Sequence, residues 1–332
     1  MDKRDVPNVG IPTEIKDGEC RVGLDPEHVG KLIKETGAMV FVESGAGLKA
    51  FFTDAEYRQN GACVVANSFD LYACSSWAIL KVKELQSEEY KLVRDYQGVA
   101  GFFHLPANHK LEAFVKEKGL RTLPYEDQTD DMGRRPILAA MSKIAGREGA
   151  QRGFDYLVER HNGQVVPSCV QALIIGKGNV GKAAAAQLKL KKNGVLGWNI
   201  RILDVNQTCL DPNSGFSEGL CNQDNVWQAI VAADIVIGAA ASLRQGAPKV
   251  ITEEMVKKMP QGAVLVDVSN DEGGLSETSS PTSHSEPTFE KFGVLHYCVP
   301  NIPGGKSVAH EATRALSAAA YPYIVNFMKT FK

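Results

Sequence analysis

The sequence lacks the features that mark several classes of protein. No stretch approaches the about 18 uninterrupted apolar residues of a membrane-spanning helix, and the polar start MDKRDVPNVG has no apolar core of a signal peptide. The net charge of −2 provides no electrostatic reason to expect nucleic acid or an anionic membrane as a partner. We therefore expect a cytosolic protein that binds neither.

Cysteine is scarce and scattered. The chain has seven cysteines, an odd number, and no two of them form a C-x-x-C pair. Metal sites and disulfide frameworks need close, paired spacings. We therefore predict no metal site, and we interpret most of these cysteines as small buried apolar side chains.

Length and composition indicate a two-domain globular protein. The chain has 332 residues, of which 44% are hydrophobic and 23% charged. This balance is typical of globular proteins, and the length exceeds the roughly 100 to 200 residues of one domain. The polar segments 206–225 and 270–290 are interpreted as surface loops.

A glycine-rich turn follows an apolar run at residues 170–175 and opens into the helix-favouring stretch KAAAAQLKLKK. Gly176, Gly178 and Gly181 have the G-x-G-x-x-G spacing. The first glycine permits a tight turn, the second lets a pyrophosphate approach the backbone, and the third lets the helix pack on the strand. Phosphate oxygens would face the free N–H groups of the helix start. The alternative is a purely structural turn.

A second apolar strand, NIRILDV, favours the dinucleotide interpretation. It ends in Asp204, about 20 residues downstream, where a dinucleotide fold places an acid on the ribose hydroxyls. Val205 and Asn206 follow, with no arginine to receive a 2′-phosphate. The sequence therefore predicts NAD rather than NADP.

Strands alternate with helices both before and after this motif. Asp25 and Pro26 are typical of a helix start, Gly37 of a helix end, and Thr53 with Glu56 of a capping box. Such alternation predicts an α/β fold with two Rossmann-like, doubly wound parallel sheets and a cleft between the domains. We expect residues 1–135 plus 304–332 to form a substrate domain and 136–303 an NAD-binding domain.

Four polar residues are expected at strand ends, where ligands of open α/β sheets bind. Lys83 could hold a carboxylate or polarise a carbonyl, and the planar guanidinium of Arg21 suits a carboxylate. His104 can exchange a proton at neutral pH. Asp271 closes a later strand, before two glycines that would let a ring approach. Each of them also has an ordinary structural interpretation as a loop charge, a core histidine or a turn aspartate.

The chain resembles the alanine dehydrogenase and transhydrogenase α-subunit family. The matching stretches, in family order, include GIPTEIKDGECRVGL, ILKVKE, FFHL, PILAAMSKIAGREGAQ, IIGKGNVGKAAA, ILDVN, ADIVIGAA, APKVITEEMVKKMPQGAVLVDVSNDEGG and HYCVPNIPG. The resemblance covers nearly the whole chain. It implies reversible oxidative deamination of a small L-amino acid, with hydride transfer to nicotinamide C4.

The resemblance also implies roles for individual residues. His104 and Asp271 would be the acid/base residues, and Arg21 and Lys83 would bind the substrate carboxylate. Met141 and Asn301 are expected at the substrate, with Asn301 and Ser142 at the border of the cofactor cleft. The residues expected to bind NAD are Ser142, Gly176, Gly178, Asn179, Val180, Gly181 and Asp204.

Departures from the family pattern lie mostly on the substrate side, for example after Asn301 in NIPGGKSVAHEATRAL. Two alternatives to alanine dehydrogenase therefore stay open. The first is an imine-reducing dehydrogenase of the opine or saccharopine type, and the second is a non-catalytic dinucleotide sensor. The family also suggests a homo-oligomer that takes small-molecule substrates.

Overall fold

The computed structural model describes residues 7–75, 77–161, 169–190, 197–240, 248–270 and 273–331. It divides into two compact units, 1–141 with 304–332 and 142–303. The strands are β1 Asn8–Ile11, β2 Met39–Glu43, β3 Cys63–Val65, β4 Ala78–Lys83, β5 Gly98–Phe102, β6 Arg121–Pro124, β7 Cys169–Ile175, β8 Gly197–Asp204, β9 Ser217–Leu220, β10 Ile235–Gly238, β11 Val264–Asp267, β12 Thr288–Lys291 and β13 Val294–Tyr297. The α-helices are α1 Pro26–Thr36, α2 Asp54–Gln59, α3 Ser68–Cys74, α4 His109–Glu117, α5 Pro136–Arg160, α6 Asn179–Leu190, α7 Gln223–Ile230, α8 Glu253–Lys258 and α9 Ala309–Lys329.

Each unit contains one doubly wound sheet. In the first unit the order is β3-β2-β1-β4-β5-β6, and every neighbouring pair is parallel. In the second unit the order is β12-β13-β11-β10-β7-β8-β9, and only the β12–β13 pair is antiparallel. The strand order reverses between β1 and β4 in one sheet and between β7 and β10 in the other. The predicted α/β fold class is therefore confirmed, and ligands are expected at these two switch points.

Short-range signals in the sequence produce the predicted helix ends. Asp25 accepts a hydrogen bond from the His28 N–H at 2.9 Å, Pro26 begins α1, and Gly37 ends it with φ of 71°. Thr53 and Glu56 form the predicted capping box at α2. These contacts satisfy backbone groups that a helix end would otherwise leave without a partner.

Helix α9 is tied to the segment that leads from β1 into α1. The Val22 N–H donates to Thr313 Oγ1 at 3.3 Å, and the Asp25 N–H donates to Ser317 Oγ at 3.0 Å. Thr313 and Ser317 are fully buried, so these side chains replace water as partners of the buried backbone. The geometry of this segment therefore depends on α9.

Two expectations from the sequence are wrong. The strand β9 lies inside the segment 206–225, and β12 begins inside the segment 270–290, although both segments were interpreted as loops. Among the seven cysteines, all of which are described and free, only Cys298 is buried; Cys20 and Cys221 are half-buried and the other four are exposed. Edge strands and strand starts, where Cys63 and Cys169 lie, leave side chains at the surface. Within the described ranges, no helix is both long and apolar enough to cross a membrane.

Candidate functional site

The three glycines of the G-x-G-x-x-G motif, here called the fingerprint, lie in the turn between β7 and α6, and each has different neighbours. Gly176 has a φ of 104°, and a Cβ there would lie 2.6 Å from the carbonyl oxygen of Ala239. A Cβ on Gly181 would lie only 1.9 Å from the carbonyl oxygen of Gly176. A Cβ on Gly178 would have no atom of the described residues within 4 Å. The protein thus needs two of the glycines for its own packing, whereas the third keeps a space open for a ligand.

Asp204 ends β8 beside this turn. Its Oδ2 accepts a hydrogen bond from the Lys177 N–H at 2.6 Å, and its Oδ1 accepts one from the Asn206 N–H at 2.8 Å. The two bonds hold the carboxylate in one orientation, and each oxygen retains a lone pair for a hydroxyl donor. This arrangement suits the two hydroxyls of a ribose.

A cavity of about 160 Å³ lies next to Asp204. Its walls are mostly apolar, so a flat aromatic group such as adenine fits them. The lining residues are Ile175, Gly176, Leu203, Asp204, Val205, Cys221, Ala240, Pro248 and Val250. The glycine turn, the acid and the apolar cavity together match the parts of an adenosine pyrophosphate.

Lys177, the second residue of the fingerprint, is a feature that the sequence analysis missed. Its side chain is 8% exposed, and its Nζ lies 2.6 Å from Glu218 Oε2 and 2.8 Å from the carbonyl oxygen of Cys209. The sequence analysis considered only the residues after Asp204 as cations for a 2′-phosphate. A lysine at the variable position between Gly176 and Gly178 was the signal that could have identified this cation.

In the first unit, Arg21 lies near the switch point between β1 and β4. Its guanidinium donates to both carboxylate oxygens of Glu19, from Nε at 2.8 Å and from Nη2 at 2.6 Å. Its Nη1 lies 3.1 Å from the sulfur of Met141. All three side chains are buried. The structure thus brings together Arg21 and Met141, two of the predicted substrate residues, and adds Glu19, which the sequence analysis did not consider.

Close backbone packing holds the segment between β1 and α1, which carries Arg21, against β4. A Cβ on Gly23 would lie 2.2 Å from the carbonyl oxygen of Leu80, so only glycine permits this approach. The register between β4 and β5 shifts between Leu80 and Lys83, which indicates a β-bulge. A bulge redirects the side chains that follow it, and here it directly precedes Lys83.

Lys83 is a half-buried cation at the end of β4. Burial, together with the nearby Arg21 guanidinium, lowers its pKa from 10.5 to about 8. Its Nζ lies 5.9 Å from the centre of the Phe102 ring, and among the described residues its ammonium group forms no ion pair. A desolvated cation whose ammonium group is not engaged in an ion pair is well placed to bind a substrate carboxylate.

A buried ionic network underlies this end of β4. The Nζ of Lys81 lies 2.8 Å from Glu89 and 3.3 Å from Glu14, and all three side chains are buried. The Tyr72 hydroxyl donates to Glu89 at 3.0 Å, and Glu14 accepts the Val82 N–H at 2.6 Å. The network therefore fixes the backbone that carries Lys83.

His104 lies two residues beyond β5, in a strained conformation. Its φ of 48° is in the left-handed region, which costs a residue with a Cβ about 1 kcal/mol or more. Its N–H donates to Glu126 Oε1 at 2.6 Å, and the Phe103 N–H donates to the same carboxylate. His104 is exposed. Lys83 is the register partner of Phe102, which lies two residues before His104. His104 and Lys83 therefore lie at the same sheet edge.

The remaining predicted residues belong to the second unit. Asp271 lies outside the described residues. The loop on either side of it is anchored by Asp267, which accepts hydrogen bonds from the Leu275 N–H at 2.7 Å and from Ser279 Oγ at 2.5 Å. Ser142 is half-buried in α5, and Asn301 has a φ of 59°. The roles of these residues stay predictions.

Known proteins resemble the chain over almost its whole length. The family model for the alanine dehydrogenase/PNT N-terminal domain matches residues 10–145, and the model for the C-terminal domain matches residues 150–331. The alanine dehydrogenase of Staphylococcus haemolyticus is 36% identical over 329 residues, which cover 95% of this chain and 85% of the relative. The alanine dehydrogenase of Methanococcus maripaludis is 36% identical over 328 residues, with 95% and 86% covered.

Solved structures agree with these relatives. A structure named L-alanine dehydrogenase matches with a TM-score of 0.88 at 35% identity, covering 97% of this chain and 90% of its own. A transhydrogenase from Sinorhizobium meliloti matches with a TM-score of 0.82 at 23% identity, covering 95% and 92%. The second likeness shows the shared fold alone.

Proposed function

We propose that this chain, which belongs to the alanine dehydrogenase/PNT family, is an NAD-dependent amino-acid dehydrogenase. It interconverts L-alanine, or a similar small L-amino acid, with the 2-oxo acid and ammonia. One observation carries this proposal: one unit contains a dinucleotide-type glycine turn, and the other has two cations at a strand-end edge, the buried Arg21 and the half-buried Lys83. The relatives favour it over an imine-reducing dehydrogenase and over a non-catalytic sensor.

The substrate carboxylate is bound by Lys83 and Arg21. Glu19 already balances the charge of Arg21, so Lys83 supplies the net positive charge, while Arg21 supplies directed N–H donors. Met141 packs against the guanidinium and limits the room for the amino-acid side chain. Asn301 is proposed to complete the substrate site.

The cofactor is held by the fingerprint turn. Gly178 leaves space in which a pyrophosphate would fit. The N–H groups of Asn179, Val180 and Gly181, at the start of α6, would donate to its oxygens, and Asp204 would accept hydrogen bonds from the ribose hydroxyls. Ser142 is proposed to border the nicotinamide. Bound NAD supplies the hydride acceptor for the α-carbon of the amino acid.

Proton transfer is assigned to His104 and Asp271. Loss of hydride leaves a cationic iminium on the substrate, which the carboxylate of Asp271 stabilises. His104 removes a proton from the attacking water and returns it when ammonia leaves. The hydrogen bonds that the Phe103 and His104 N–H groups donate to the Glu126 carboxylate keep this turn in place.

The assay that tests this function follows NADH oxidation at about 340 nm with ammonia and pyruvate. We expect turnover with the wild-type protein, and we expect His104→Ala to lose about 10²-fold or more in kcat while it binds NADH unchanged. Turnover only with a primary or cyclic amine in place of ammonia would show an imine-reducing enzyme. NADH binding without turnover on any amino acid or 2-oxo acid would show a sensor.

The titration of Lys83 predicts how pH affects substrate binding. The pKa of the amine in the folded protein is about 8, so the cation is present below pH 8 and is lost above it. We expect the dissociation constant of pyruvate, measured with NADH bound, to rise about tenfold between pH 7 and pH 9. A dissociation constant that stays level over this range would contradict a carboxylate contact with Lys83.

Two further proposals concern the setting of the enzyme. A homo-oligomer is proposed from family membership, and sedimentation velocity on the purified chain tests it. A cytosolic location is proposed because the seven cysteines form no disulfide, which suits a reducing compartment.

A further inference from the structure

Lys177 belongs to the glycine turn at the ribose end of the proposed cofactor site. Its backbone N–H donates to Asp204, the acid expected to bind the ribose hydroxyls. Its ammonium group contacts the carbonyl oxygen of Cys209, in the segment that follows β8. NADP differs from NAD only by a phosphate on the 2′-hydroxyl of the adenosine ribose, so a lysine in this turn is a candidate cation for that phosphate.

Glu218 on β9 takes up this cation. The distance between Lys177 Nζ and Glu218 Oε2 is 2.6 Å, and the two side chains are 8% and 3% exposed. In such a buried position the pair attracts more strongly than at the surface. The same carboxylate accepts the Asp211 N–H at 2.6 Å, so Glu218 is itself held in place.

The charges around the ribose therefore sum to a negative value. Lys177 contributes one positive charge, and Glu218 and Asp204 each contribute a negative one. A 2′-phosphate dianion would meet two carboxylates and an ammonium group already engaged by one of them. Ribose hydroxyls, which donate hydrogen bonds, fit the same arrangement without repulsion.

We propose that Glu218 is a specificity-determining residue, which excludes 2′-phosphorylated dinucleotides by pairing with Lys177. This inference rests on the proposed function and identifies a further residue that selects NAD over NADP. Asp204 sets the preference for a ribose diol, and Glu218 prevents Lys177 from reversing it. The lysine side chain is long and flexible, so it can turn towards a phosphate once the pairing carboxylate is gone.

The test replaces Glu218 by glutamine and measures direct binding of NADH and NADPH by fluorescence, without substrate. The amide oxygen of glutamine can still accept the Asp211 N–H, so the variant removes the charge and keeps the shape. We expect the ratio of the NADPH to the NADH dissociation constant to fall about tenfold relative to wild type. The gain should weaken as salt is added, because it depends on charge.

Two further variants separate selectivity from a merely structural role. Lys177→Met, made in the Glu218→Gln background, should remove the gain for NADPH. Glu290→Gln is the matched charge control. Glu290 lies on β12, at the edge of the sheet opposite β9, and pairs with Arg160 at 2.9 Å. This control should leave the ratio unchanged.

The outcomes are distinct. An equal loss of affinity for NADH and NADPH in Glu218→Gln would show that Glu218 only organises the loop. A gain in NADPH affinity that survives Lys177→Met would show that Lys177 does not bind the phosphate. Either result overturns the inference. Because binding is measured without substrate, a failure of the alanine assay does not affect this result. A wild-type chain that binds neither dinucleotide would overturn both proposals.

Discussion

Replacing Lys83 by methionine is expected to abolish amination of pyruvate at neutral pH and, at the same time, to stabilise the fold. Loss of a charge that pairs with the substrate carboxylate costs about 2–5 kcal/mol of binding free energy, so kcat/KM should fall roughly 30- to 5,000-fold. NADH binding should stay unchanged, since Lys83 belongs to the other unit. Methionine retains the length and the apolar stem of lysine, so the variant loses chiefly the charge.

The gain in stability follows from the same pKa. Lys83 has a pKa of about 8 in the folded protein and an ordinary value of 10.5 when unfolded. Between these values Lys83 binds more protons in the unfolded chain than in the folded one, so its contribution to stability becomes less unfavourable as the pH rises from about 8 to about 10.5. Below pH 8 the folded protein carries the full cost of the buried cation. Since Lys83 is only half-buried, we expect Lys83→Met to raise the free energy of unfolding by about 2 kcal/mol at pH 7.

Urea unfolding at pH 7 and at pH 10.5, together with kcat and KM for pyruvate, checks both expectations. The advantage of the variant should be present at pH 7 and disappear near pH 10.5. Lys31→Met is the matched control, since Lys31 pairs with Glu27 at 2.7 Å and both side chains are about half exposed. It should change stability by less than about 1 kcal/mol. A Lys83→Met protein that is less stable at pH 7, or fully active, would refute the assignment.

Alanine substitutions at Gly178 and Gly181 are expected to separate cofactor binding from folding. The Cβ of Gly178→Ala enters space that no described residue occupies, so the melting temperature should stay within about 2 °C of wild type. The same methyl group would occupy the space proposed for the pyrophosphate, and the NADH dissociation constant should rise more than about tenfold.

The Gly181→Ala variant should show the reverse order of effects. Its Cβ would lie 1.9 Å from the carbonyl oxygen of Gly176, so α6 must move away from the turn. Such overpacking costs about 1–3 kcal/mol, which lowers the melting temperature by several degrees, and NADH binding weakens as a consequence of the displaced helix. Differential scanning fluorimetry and NADH titration of both variants measure the two quantities. Equal melting temperatures, or unchanged NADH affinity in Gly178→Ala, would contradict the division of roles.

Local patterns made much of the fold predictable from the sequence. The fingerprint, the N-cap at Asp25 and the capping box at Thr53 depend on residues a few positions apart, and the structure contains all of them. The strand β9 was missed because its sequence, SEGL, has no β-branched or aromatic residue and forms a strand only by pairing with β8. The formation of this strand therefore depends on its pairing with β8, which the local sequence does not reveal.

The site was less predictable than the fold, because its determining contacts join distant positions. Lys83 could be placed at a strand end from the sequence, but its lowered pKa depends on burial and on Arg21. The pairing of Lys177 with Glu218 spans 41 positions and requires the order β7-β8-β9. Nothing in the spacing of these residues distinguishes such a pair from two solvated charges.

The hydrogen bonds that the segment between β1 and α1 donates to α9 also constrain the order in which a nascent chain can complete its parts. Ribosomes deliver residues 142–303 as one uninterrupted stretch, so the dinucleotide unit can fold while translation continues. The segment that carries Arg21 is made almost at once, yet its partners Thr313 and Ser317 emerge nearly 300 residues later. The proposed binding site for the amino-acid substrate is therefore completed last, although Arg21 and Lys83 are translated early.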